Sequence, residues 1–154
     1  MFTILIALHS IIRWFVLLSL LYCLYRAWRG RRGDRAYTAL DDAARRLTAA
    51  IAQIQFLIGL SLYFLSPIVD YFLKNFKEAV HMREIRFFGM EHSLMMFIAV
   101  ALISIGSQKV GQQVGDQAKF RAMWVWYGIA LLVILTSIPW EFSPLVSRPS
   151  WRSF

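Results

Sequence analysis

Cysteine is all but missing from this chain, and Cys23 alone excludes an intramolecular disulfide, a CxxCH attachment motif and any cysteine cluster for zinc or iron–sulfur. No glycine loop that would cradle a phosphate, no nucleophile elbow and no HExxH metal motif occurs. Acidic residues are also scarce, nine against 17 Lys and Arg, for a formal net charge of +8. That excess does not indicate a nucleic-acid partner, because the basic residues flank hydrophobic runs and form no continuous stripe. The N-terminus lacks the basic n-region and small-residue cleavage site of a secretory signal, so its long apolar run reads as an uncleaved span.

Apolar residues are abundant, at 58% of 154, and they gather into blocks of bilayer length. Four such blocks would overfill one soluble core. They fall at residues 2–25, 47–66, 86–106 and 122–139, the second ending at Pro67, which does not readily continue a helix. The sequence therefore predicts an all-α integral membrane protein, a four-helix up-down bundle over residues 1–140, with a C-terminal extramembrane tail over 141–154. Between spans two and three, Val69, Phe72, Leu73, Phe76 and Val80 recur at helical spacing and predict one short amphipathic helix in the interface. Trp124, Trp126 and Tyr127 near one end of the fourth span and Trp140 at the other suit the aromatic belts of a bilayer.

The loops after spans one and three carry Arg26, Arg29, Arg31, Arg32, Arg35, Arg45, Arg46, Lys109, Lys119 and Arg121. The opposite side carries Lys74, Lys77, Arg83, Arg86, Arg148 and Arg152. By the positive-inside rule the first set is cytoplasmic, which places both termini outside a bacterial cytoplasmic (inner) membrane.

Ionisable residues inside spans are costly and mark candidate sites. His9 and Arg13 are four apart in the first span and share a face, while Glu91 and His92 interrupt the third. Both spans enter from the same side, so His9 and His92 come to matching depth, roughly 8 to 11 Å below the outer boundary. In an up-down bundle these parallel spans lie diagonally across the core, where two neutral imidazoles suit axial ligation of a haem iron. On this reading Gly59, at similar depth on span two, leaves room for a flat ring. Arg13 and Arg86 would neutralise propionates, and Glu91 would neutralise Arg13 or accept a proton from a ligating imidazole. His81 lies in the connector, so at most one bis-His haem b fits the histidine count and a two-haem transmembrane wire does not. The plain alternatives are interhelical hydrogen bonds for the histidines and a structural ion pair for Glu91 and Arg13. Gln53 and Gln55 would satisfy each other or a neighbouring helix, with contact to a quinone carbonyl the lesser reading.

The set HSIIRW (9–14), QFLIGLSLYFLSP (55–67), RFFGMEH (86–92) and SIPW (137–140) resembles a bacterial group of small four-span membrane proteins labelled cytochrome b-like. The resemblance covers about residues 1–140. It implies a small b-type haem protein for electron transfer or a subunit of a respiratory complex. Members of that group often carry His where this chain has Gln53. A reading from another class is a cofactor-free accessory subunit packed against larger membrane-complex subunits.

Overall fold

The computed structural model describes residues 2–33 and 35–140. Its long helices are α1 (Phe2–Arg32), α2 (Ala39–Leu65), α6 (His92–Gln112) and α7 (Asp116–Ser137), joined in the middle by α3 (Pro67–Lys74), α4 (Phe76–Ala79), α5 (Arg83–Arg86) and a π-helical turn, Phe87–Glu91. Among the described residues there is no strand. All four predicted spans are helices long and apolar enough to cross a membrane, the third of them running from Arg83 through the π turn to Gln112. Helical geometry runs further than the apolar blocks. α1 continues through its arginines and α6 to Gln112, leaving only Gln113, Val114 and Gly115 before α7.

The expected amphipathic connector helix is instead three short helices, broken at Asn75 and again before Arg83. Val69, Phe72 and Ala79 turn inward, while Leu73 and Phe76 stay exposed, so the inward face is too irregular for one continuous helix. The predicted tail lies outside the described residues.

α1 packs against α2 and α7, and α6 against the same two, so α1 and α6 occupy one diagonal. Leu18, Leu57, Phe97 and Leu132 point outward and are exposed, as expected of side chains that lipid covers. The centre is built with small residues, Ala27, Ala49, Ala52, Ala99 and Ala130 among them, which let backbones approach. At Gly106 an added Cβ would overlap Trp126, and at Gly30 it would overlap the ring of Phe120. Trp126 thus packs against α6, and Tyr127 is fully buried, so Tyr127 does not serve as the belt anchor that its sequence position suggested.

Polar groups clasp the arginine-rich end. Asp41 is fully buried and takes Arg26 Nε at 2.6 Å, Arg35 Nη2 at 2.7 Å, and the Thr38 backbone N–H and hydroxyl at 2.9 and 2.6 Å. This closes the turn between α1 and α2. Arg45 donates from α2 to the Ser107 hydroxyl of α6 at 2.8 Å, and the Tyr127 hydroxyl of α7 donates to the Arg45 carbonyl at 2.8 Å. Cys23 is buried with Sγ 3.3 Å from Thr48 Oγ1, the packed thiol its sequence context implied. Removing the acid at Asp41 leaves two guanidinium groups facing each other, so Asp41→Ala is expected to cost about 3 kcal/mol. Gly106→Leu, which overfills the α6–α7 contact, is expected to cost about 2 kcal/mol. Denaturation of the two variants in mild detergent, followed by circular dichroism, checks both values; wild-type stability in either would refute the assigned contact.

Candidate functional site

The end of the bundle away from the arginine clasp brings the two predicted histidines together. His9 lies two turns into α1 and His92 opens the regular part of α6, and their ring centroids are 6.4 Å apart with planes at 74°. The two rings bring the diagonal helices α1 and α6 together here. His92 Nδ1 is 2.9 Å from the Ser137 carbonyl at the end of α7, and the geometry assigns Nδ1 as the donor, leaving Nε2 with its lone pair. Phe87 and Phe88 stack around the same ring, with centroids 5.7 and 6.3 Å from it.

His9 rests on α2. A Cβ placed on Gly59 would lie 3.0 Å from His9 Cε1, so the flat ring that the missing side chain accommodates is the imidazole of His9. Gln55, one helical turn away, donates from Nε2 to the His9 carbonyl at 2.8 Å. Three polar atoms in this region are buried without a hydrogen-bond partner: His9 Nδ1, Arg13 Nε and Gln55 Oε1. A buried polar atom left unpaired carries a desolvation cost of about 1 to 3 kcal/mol, so their concentration around His9 marks the place where the fold is least satisfied by its own groups.

Arg13 stands 5.4 Å from the centroid of the Trp14 ring, and Trp14 in turn packs at 6.3 Å against Trp140. Glu91 does not pair with Arg13. Its Oε1 accepts from Arg86 Nε at 2.6 Å, and Arg86 also donates to the Val80 carbonyl at 3.0 Å. This partner depends on the π turn. Residues five apart point to different sides of an α-helix, but the wider turn from Phe87 to Glu91 swings Glu91 back over Arg86. Arg86 is therefore engaged by Glu91 through Nε and by the Val80 carbonyl through Nη1. Gln53 donates to Ser104 Oγ at 3.1 Å and is remote from Gln55 in partner, so the two amides do not satisfy each other. His81 is exposed in the connector.

The sequence points to six site residues, His9, Arg13, Gly59, Arg86, Glu91 and His92. His9 touches both His92 and Gly59, Arg13 is one turn below His9, and Arg86 with Glu91 form a separate pair just before His92. Gln55, Ser137, Phe87 and Phe88 belong to the site as well. Gln55 carried a signal, being four residues before Gly59 on the same face. Ser137 contributes a main-chain oxygen, for which no residue type is diagnostic.

Among the described residues no group of three or more His, Cys, Asp or Glu is placed to hold a metal ion, so any metal here would be held by the imidazole pair and a non-protein ligand set. The donor set fits that role. The Ser137 contact leaves Nε2 of His92 open and Nδ1 of His9 is buried without a partner, so the two imidazoles could hold an iron atom as nitrogen donors. No family model, curated protein or solved structure matches this chain.

The contact between Gly59 and His9 gives a direct check. Gly59→Ala is expected to be tolerated with a small displacement of the ring. Gly59→Leu is expected to eject it and cost about 2 kcal/mol by overpacking. Imidazole nitrogen chemical shifts of His9 report the displacement; unchanged shifts in Gly59→Leu would contradict the packing described.

Proposed function

We propose that this chain is a single-haem b-type membrane protein for electron transfer, with His9 and His92 as axial ligands, embedded in a bacterial cytoplasmic membrane with its arginine-rich end inside. The observation that carries the proposal is the meeting of two imidazoles from diagonal helices at 6.4 Å. Haem bound there would supply a one-electron couple. The remaining work falls to the chain. Ser137 holds His92 in the tautomer that leaves Nε2 free, since its carbonyl takes the Nδ1 proton, as carbonyls commonly do behind a ligating histidine. Arg13, with a buried Nε lacking a partner, supplies a cation for a propionate. Phe87 and Phe88 pack around His92 and limit access of water. The resemblance of the HSIIRW and RFFGMEH motifs to cytochrome b-like proteins is in line with this reading.

A second reading has its own observation. The ring of His9 already fills the space over Gly59, as it would if the histidine pair were a polar contact fixing helix packing in a cofactor-free accessory subunit. Gentle detergent extraction separates the two: a colourless chain co-isolating with larger subunits favours the second, and a pigmented particle of one subunit type favours the first.

The haem proposal predicts a b-type band in the reduced-minus-oxidised spectrum of wild type purified from haem-sufficient cells. His9→Ala and His92→Ala are each expected to lower it at least about tenfold, since one remaining imidazole forfeits the bis-axial site. Arg13→Gln is expected to keep the band with weaker haem retention. Absence of the band in wild type, or full retention in both histidine variants, overturns the proposal.

A further inference from the structure

Away from the histidines, a groove of about 430 Å³ runs down the outer surface between α1 and α7, lined by Leu24, Trp124, Val125, Gly128 and Leu132 among others. Gly128 keeps its floor open, since a Cβ there would meet only Leu24 Cδ2, at 3.9 Å. The groove is apolar along its length and basic at one end. On α7, Arg121 precedes Trp124 by three residues and Gly128 by seven, so all three share the groove face. On α1, Leu24 and Arg31 are likewise seven apart, two turns on one face. The Arg31 guanidinium lies 5.7 Å from the centroid of the Trp124 ring, which itself lines the groove. Gln117 fixes this mouth by donating from α7 to the Gly30 and Gly33 carbonyls at the end of α1, at 2.9 and 3.0 Å. Arg31 and Arg121 are exposed, and among the described residues neither has an ion-pair partner.

We infer that this groove binds one anionic phospholipid, an acyl chain lying along Leu24, Gly128 and Leu132 and a phosphate headgroup held between Arg31 and Arg121. Charge decides the occupant. A second copy of the chain or a foreign apolar helix would cover the groove equally well but would bury or strand two cations at its mouth, whereas a phosphodiester neutralises them with charge-assisted hydrogen bonds. Trp124 then sits where an indole commonly does, at headgroup level with its ring against the chain. The site is independent of whether haem is bound at the other end.

Native mass spectrometry of the full chain, released from non-ionic detergent after titration with dioleoyl phosphatidylglycerol or dioleoyl phosphatidylcholine, tests the inference. Wild type is expected to retain one phosphatidylglycerol in preference to phosphatidylcholine. Each arginine near a headgroup is worth about a fivefold change in affinity, so Arg31→Ala with Arg121→Ala should cut that preference by up to about twenty-five-fold. Gly128→Leu should abolish retention of either lipid, and Lys77→Ala, at the opposite end, should change nothing. Equal retention of the two lipids by wild type, or an unchanged preference in the double arginine variant, overturns the inference. A dimer without bound lipid that Gly128→Leu dissolves overturns it in favour of a second copy as occupant.

Discussion

Lipid removes the usual reward for burying apolar side chains, so these four helices have to be held by close approach and by polar contacts that cannot find water. Small residues supply the approach: the backbones at Gly30 and Gly106 come near enough that a Cβ would collide with Phe120 or Trp126. Polar contacts are concentrated at the two ends. One end is the clasp of Asp41 with Arg26, Arg35 and Thr38, joined by Arg45 to Ser107 and Tyr127 to Arg45. The other is the histidine pair, tied to α7 by Ser137 and to α2 by Gln55 and Gly59.

These ends differ in how completely they are satisfied. At the clasp the buried carboxylate of Asp41 has four hydrogen-bond donors around it. Around His9 three buried polar atoms have none. On the clasp side Tyr37 Oη is the one buried polar atom among the described residues without a partner, so unpaired groups gather at the histidine end, where the site is proposed. The π turn at Phe87–Glu91, directly before His92, is a local departure of the kind frequent at such places.

Much of the fold was readable from residue order. Apolar blocks of bilayer length located the four helices, and counting residues from a common face was enough to bring His9 and His92 to one level. What stayed hidden depended on the main chain. The Ser137 carbonyl that orients His92 and the His9 carbonyl that takes Gln55 have no residue-type signature. Residue order offers Glu91 either Arg13 or a ligating imidazole as partner, whereas the π turn brings it to Arg86. The connector reads as one amphipathic helix by spacing, yet Asn75 interrupts it, an irregularity that periodicity over so few residues does not resolve. Tyr127 looked like an interfacial anchor beside Trp124 and Trp126 and is instead a core residue, because its hydroxyl finds the Arg45 carbonyl inside the bundle.

The account rests on the imidazole pair being a ligand set for one iron. The most direct measurement is the molar ratio of extractable haem b to polypeptide, compared between purified wild type and the His9→Ala/His92→Ala double variant. A ratio near one in wild type that falls to near zero in the variant is the predicted result. A wild-type ratio near zero, or one that the double variant preserves, would contradict it.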